Sequence, residues 1–246
     1  MVILSSFFRK LGLRGKNLSR HRQSRWIISS IYDPPLDTKV KEKPFTLLLM
    51  EDEFIYNDSW RDSFEKYIPR DYGMAFGSLS FADKSTFHDM VEGTKSDLFN
   101  IPDALLISRG PISSWCAQFY LESQPLKGLI MVDPILFDLE EDPITSDAIR
   151  KLQTNELGVA KLLEHNTRLT NLVNESQQRS LKLEPSSVPM LVISSCSELR
   201  SASKNVKNRH SDQDGPFGEV EFKEISDCEN HDNVMKALDT WIDSMH

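Results

Sequence analysis

Residues Asp103–Pro134 read DALLISRGPISSWCAQFYLESQPLKGLIMVDP and decide the fold class. The apolar run Ala104–Ile107 predicts a strand, which ends in a tight turn at Ser108–Gly110. A helix is predicted over about residues 114–123, and a second apolar strand over 128–133. Strand, turn, helix and strand in this order form the unit from which a parallel α/β sheet is built.

The segments on both sides of this unit continue the alternation. Strands are predicted at residues 45–50, 72–76, 188–194 and 220–225, and amphipathic helices at 58–68, 86–98 and 234–245. A polar stretch at 204–215 predicts a loop. The chain is therefore expected to have an α/β fold, with a mostly parallel sheet flanked by helices.

The composition narrows the class of protein. The chain has 246 residues, of which 39% are hydrophobic and 27% are charged, as in globular domains. No apolar run approaches the roughly 18 residues that a transmembrane helix needs. The three cysteines, Cys116, Cys196 and Cys228, show no C-x-x-C spacing. That pattern argues against a disulfide framework and a zinc module, and favours a reducing compartment.

The charge is unevenly distributed along the chain. The net charge is −8, yet residues 1–32 contain seven Lys or Arg and no Asp or Glu. Such a basic, Ser-rich and acid-free stretch is typical of an organellar transit peptide. We therefore expect a targeting peptide or N-terminal arm at 1–32 and a domain at 33–246. The mitochondrial matrix is favoured over the plastid. If the leader is not a transit peptide, we expect the cytoplasm instead.

If the basic arm is retained, it would contact anionic partners such as RNA or lipid by charge. No specific nucleic-acid motif accompanies it. There is no G-x-G-x-x-G and no G-K-[ST], so the sequence does not support nucleotide binding. A metal site could be formed by Glu229, His231 and Asp232, but a set with only one histidine is a weak indication of metal binding. No cofactor and no metal are expected.

The central unit resembles the nucleophile elbow of the α/β-hydrolase family, in which a strand, G-x-S-x-G, a helix and a strand ending in V-D-P follow one another. Here the elbow reads SRGPI at 108–112, and Gly110 stands where the family has its nucleophilic serine. Glycine adopts the left-handed elbow conformation without steric cost but supplies no hydroxyl. The resemblance also places a short helical cap at about 135–184.

The resemblance implies roles for further residues. His231, between the last strand and the last helix, matches the catalytic histidine, and Glu198 matches the acid; a surface histidine and an exposed loop glutamate are the alternatives. Glu51, Asp52 and Pro111 fall in the oxyanion region, with Glu51-Asp52 where the family has H-G. A carboxylate 4 Å from an oxyanion would repel it by roughly 4 kcal/mol at an effective dielectric of 20.

Two hypotheses follow. In the first, the chain is a catalytically degenerate α/β-hydrolase-fold protein with a structural, binding or accessory-subunit role in an organelle, where protein subunits are its partners. In the second, it is an active serine-type hydrolase of esters, thioesters or amides, whose nucleophile is displaced to Ser108 or Ser113. Two weaker alternatives are a cysteine nucleophile paired with His231 and a water-activating site formed by His231 and Glu198.

Overall fold

The computed structural model describes residues 28–36, 40–52, 56, 59–81, 84–101, 103–139, 142–154, 166–225 and 231–245. Seven strands form one sheet: β1 (Ile28–Tyr32), β2 (Thr46–Glu51), β3 (Ala75–Leu79), β4 (Ala104–Arg109), β5 (Gly128–Val132), β6 (Met190–Ser194) and β7 (Glu221–Glu224). Their order in the sheet is β1-β3-β2-β4-β5-β6-β7. Only β1 is antiparallel to its neighbour, so the mostly parallel α/β prediction is confirmed.

The connecting helices are α1 (Arg61–Tyr67), α2 (Phe87–Leu98), α3 (Pro111–Leu121), α4 (Pro143–Thr154), α5 (Asn166–Gln177), α6 (Arg200–His210) and α7 (His231–Ser244). A π-helical turn, Ile68–Tyr72, follows α1. At the start of α2 the Thr86 side chain caps the helix by accepting a hydrogen bond of 3.0 Å from the Asp89 N–H. Helices α4 and α5 lie between β5 and β6, where the short helical cap is predicted.

The central strands are buried on both faces because helices cover both sides of the sheet. In β4 alternate residues belong to different core clusters: Leu106 shares one with Trp115 of α3, while Leu105 and Ile107 share the other with Trp241 of α7. This is the period-2 alternation of a strand that is apolar on both sides. All six residues of β4 are buried, so the turn that follows β4 begins inside the protein.

Two local predictions were wrong. The strand predicted at 72–76 lies at Ala75–Leu79, because Tyr72 ends the π-helical turn and Gly73 follows it with φ +65°. The predicted loop at 204–215 is helical as far as His210. Helix α6 buries Ala202, Val206 and His210, four residues apart, and this narrow stripe is enough to hold an otherwise polar helix against the domain.

The sheet also begins earlier than the sequence indicates. Strand β1 lies inside the predicted leader and pairs with β3, Ile28 opposite Leu79 and Tyr32 opposite Phe76. The domain therefore includes residues from Ile28, before the predicted entrance at Asp33. Residues 1–27 lie outside the described part of the chain. Across the described ranges, no helix combines the length and apolar character that crossing a membrane requires.

Candidate functional site

Gly110 forms the sharp turn between β4 and α3. Its φ of +109° and ψ of +163° belong to a region that side-chain-bearing residues rarely adopt. Its N–H donates to the Val132 carbonyl over 2.9 Å, which ties the turn to the end of β5. The positive φ expected for Gly110 is therefore confirmed, while its ψ of +163° differs from that of the predicted left-handed conformation.

Asp52 occupies the space directly in front of this turn. Its fully buried carboxylate accepts the Ile112 N–H through Oδ2 at 2.8 Å and the Ser113 N–H through Oδ1 at 2.7 Å. A Cβ atom on Gly110 would lie 2.6 Å from Asp52 Cγ and 2.8 Å from Asp52 Cβ, closer than real Cβ atoms approach. The Asp52 side chain and a side chain at position 110 therefore exclude each other.

The N–H groups in the first turn of α3 are not available to a ligand. Pro111 has no N–H, and the N–H groups of the next two residues both donate to Asp52. Burial raises the pKa of Asp52 to about 7, against the lowering effect of these two donors, and the neighbouring Glu51 raises it further. The carboxylate thus satisfies the helix N-terminus that an external anion would otherwise contact.

Glu51 points into the protein, where Arg109 neutralises it. The two side chains are 3.0 Å apart, with exposed fractions of 9% and 3%. Glu51 also accepts the Trp60 N–H at 3.0 Å and the Ser59 hydroxyl. The Arg109 guanidinium lies 4.1 Å from the Tyr56 ring centroid and 4.3 Å from that of Trp60. Arg109 is thus enclosed by an acid and two aromatic rings, an arrangement suited to a buried guanidinium.

Asp133, in the V-D-P sequence after β5, is a second buried carboxylate at this edge of the sheet. It accepts the N–H groups of Ser195 at 2.7 Å and Cys196 at 3.0 Å, together with the Ser195 hydroxyl. The Tyr56 hydroxyl lies 3.4 Å away. Burial raises the pKa of Asp133, while the Ser195 and Cys196 donors lower it. Asp133 therefore fastens the loop after β6 to the end of β5.

The predicted acid Glu198 lies at the surface. It accepts a hydrogen bond from Cys196 Sγ at 3.0 Å and one from the Ser197 hydroxyl at 2.8 Å, and these contacts lower its pKa. His231 begins α7, but its side chain and Cys228 lie outside the described residues. The pairing of His231 with Glu198 therefore stays a prediction.

The described thiols are poorly activated. Burial raises the pKa of Cys116 to about 12. The pKa of Cys196 is also raised to about 12, chiefly by burial and next by its hydrogen bond to Glu198. A thiol with such a pKa is almost entirely protonated at neutral pH, and the thiolate is the nucleophilic form.

Ser108 and Ser113, the alternative nucleophiles, are both fully buried. The Ser108 hydroxyl donates to the Ile130 carbonyl at 3.2 Å and lies 3.1 Å from the Ser114 hydroxyl. The Ser113 hydroxyl donates to the Arg109 carbonyl at 2.8 Å. Both hydroxyl groups are thus engaged between the sheet and α3.

A pocket of about 470 Å³ opens beside Asp52, at the carboxyl ends of β2 and β3. Its walls are Leu49, Glu51, Asp52, Tyr56, Ser59, Arg61, Asp62, Ser78, Leu79 and Ser80. Within the described ranges, no group of three His, Cys, Asp or Glu side chains could hold a metal ion. Sequence reasoning missed Tyr56, Arg61 and Asp133; of these only Asp133, in its V-D-P motif, carried a sequence signal.

No protein-family model and no curated protein matches the sequence. Solved structures do match the fold. A bacterial heroin esterase matches with a TM-score of 0.60 and 12% identity, over 87% of this chain and 78% of its own. Alpha/beta hydrolase domain-containing protein 10 from mouse matches with a TM-score of 0.56 and 12% identity, over 84% and 93%. The NocB thioesterase domain, solved as a covalent complex with a fluorophosphonate nocardicin G analog, matches with a TM-score of 0.53 and 16% identity, over 81% and 95%. The chain therefore has the α/β-hydrolase fold.

Proposed function

We propose that this α/β-hydrolase-like protein is catalytically inactive and serves a binding or accessory-subunit role in an organelle. The observation that carries the proposal is the Asp52 carboxylate, which fills the space before Gly110 and holds two N–H groups of α3. Gly110 supplies no hydroxyl, so the nucleophile and the room for one are both lost at this turn.

One of the two usual oxyanion donors is missing at the same place. In an α/β hydrolase, one donor to the tetrahedral intermediate is the N–H of the residue after the nucleophile, and that residue here is Pro111. Losing a single such donor typically lowers the rate by about 10²- to 10³-fold. The next two N–H groups along α3, those of Ile112 and Ser113, already donate to Asp52.

The alternative, a hydrolase with a displaced nucleophile, would have to use Ser108 or Ser113. Both hydroxyl groups are buried and donate to backbone carbonyls, so neither is presented to a substrate in this arrangement. An attacking hydroxyl also needs a base within hydrogen-bond reach. The geometry of the described residues therefore favours a protein without hydrolase activity over a hydrolase with a displaced nucleophile.

A fluorophosphonate probe tests this proposal directly. The purified full-length chain is incubated with the probe and its intact mass is measured, with the NocB thioesterase domain, which forms a covalent fluorophosphonate complex, as the positive control. We expect no adduct on this chain. An adduct that disappears in Ser108→Ala or Ser113→Ala would instead establish the displaced-nucleophile hydrolase.

The organellar location rests on the basic, acid-free composition of residues 1–32. Because Ile28–Tyr32 form β1, removal of a leader should occur before Ile28. Import into isolated mitochondria, followed by N-terminal sequencing of the imported chain, tests this. Failure to enter mitochondria would reject the mitochondrial location, and a new N-terminus after Tyr32 would reject the proposed cleavage position.

A further inference from the structure

The pocket beside Asp52 has the size and wall composition of a small-molecule site. Its volume of about 470 Å³ lies within the usual range for ligand pockets. Leu49 and Leu79, exposed by only 1% and 3%, provide apolar surface. Ser59, Ser78 and Ser80 are among the polar wall residues. A ligand with a polar head and a short apolar body matches this distribution.

Arg61 is held in position at the pocket wall. Its Nε donates to the Ser78 hydroxyl over 2.7 Å, and its backbone N–H donates to the Ser59 hydroxyl over 3.1 Å. The Ser78 contact occupies the Nε–H group of Arg61. The edge of the guanidinium formed by the two Nη atoms is not used in this contact. A guanidinium held in this way can donate two parallel hydrogen bonds to a carboxylate or a phosphate.

The other charges of the pocket wall are mostly compensated within the protein. Glu51 is paired with Arg109, and Asp52 accepts two N–H groups of α3. Among the wall residues that the structure describes, the remaining acidic one is Asp62, on the exposed side of α1. The positive charge of Arg61 is therefore the main attraction that the pocket offers to an ion, and Asp62 weakens it.

We propose that this pocket binds a small organic anion, whose carboxylate or phosphate oxygens contact the Arg61 guanidinium while a short apolar body lies against Leu49 and Leu79. The inference deepens the proposed binding role and rests on it, since the site is taken to hold a ligand without transforming it. The Ser78 hydroxyl acts as a positioning group for Arg61.

Isothermal titration calorimetry on the full chain, at constant ionic strength in sodium chloride, tests the site with three probes. Butyrate carries a carboxylate on a short apolar body, 1-butanol keeps the apolar body without the charge, and inorganic phosphate keeps the charge alone. We expect millimolar butyrate binding, weaker phosphate binding and no 1-butanol binding. Tighter phosphate than butyrate binding would identify phosphate as the preferred head group, and 1-butanol binding as tight as butyrate binding would overturn the proposal.

Variants locate the binding. Arg61→Gln should weaken butyrate binding at least tenfold, and Ser78→Ala several-fold. Asp62→Asn, an exposed change that should not affect folding, should tighten it several-fold. Arg70→Gln is the matched control, because Arg70 is 55% exposed and paired with Asp71 away from the pocket. Unchanged affinity in Arg61→Gln, or an equal loss in Arg70→Gln, would overturn the proposal. Absence of butyrate binding would reject this site and leave the fluorophosphonate result, and with it the inactive-enzyme proposal, unaffected.

Discussion

Placing a serine at position 110 should damage the fold and restore no activity. Gly110→Ser puts a side chain on a residue with φ +109°, at a cost of about 1–3 kcal/mol. It also forces a Cβ atom to within 2.6 Å of Asp52 Cγ, and overpacking of this kind costs about 1–3 kcal/mol more. We expect the free energy of unfolding to fall by about 2–6 kcal/mol in total, as measured by urea denaturation.

Gly218 provides a matched control for the backbone cost. Its φ is +68°, and a Cβ atom there would meet no atom within 4 Å. Gly218→Ser therefore reports only the cost of a side chain at positive φ, about 1 kcal/mol. The excess loss in Gly110→Ser contains the steric conflict with Asp52 and the higher backbone cost of φ +109° and ψ +163°.

A double-mutant cycle separates the conflict from other effects. Asp52→Ala alone should destabilise the protein by about 1–3 kcal/mol, because two buried N–H groups lose their acceptor. The double variant Asp52→Ala/Gly110→Ser should lose at least about 1 kcal/mol less than the sum of the single variants. It should still fail to hydrolyse p-nitrophenyl acetate, because Pro111 offers no oxyanion donor. Equal losses in Gly110→Ser and Gly218→Ser, with an additive cycle, would refute the placement of Asp52 against the turn.

Three further predictions concern stability in urea. First, the pKa of Asp52 is about 7 in the folded protein against 3.8 normally, so the folded state holds this proton more tightly than the unfolded state. The stability that this group contributes is therefore complete below about pH 4 and is lost as the pH rises through about 7, with a ceiling of about 4 kcal/mol. Asp52→Asn should flatten this part of the pH profile of stability. An unchanged profile would contradict the raised pKa of Asp52. Second, Arg109→Met should lower the free energy of unfolding by about 3–5 kcal/mol, because Glu51 is left charged and buried. The double variant Arg109→Met/Glu51→Leu should lose less stability than Arg109→Met alone. A greater loss in the double variant would show that the ion pair itself is net stabilising. Third, Thr86→Ala should cost about 1 kcal/mol through the lost cap of α2, and no loss would mean that the cap is not formed in solution.

Much of the fold could be predicted because it depends on local patterns. The strand at Ala104–Ile107 and the helix at 86–98 follow from the periodicity of their apolar residues. The predictions failed where local pattern was weak. A loop is predicted at 204–215 because the second half of helix α6 is polar apart from Val206, and the basic composition of residues 1–32 gives no sign of β1.

The elbow at residues 108–112 has some properties that depend on single residues and others that depend on tertiary contacts. From the sequence alone, Gly110 could be seen to permit the turn and to lack a hydroxyl, because both properties belong to the residue itself. The sequence also indicated that Glu51 and Asp52 are near this turn, but not where either carboxylate points. Only the tertiary structure decided that Glu51 pairs with Arg109 and that Asp52 fills the space before Gly110. The physical reason is that neighbouring parallel strands bring these groups together across 58 residues of chain, and their orientation depends on packing and hydrogen bonds between β2, β4 and α3.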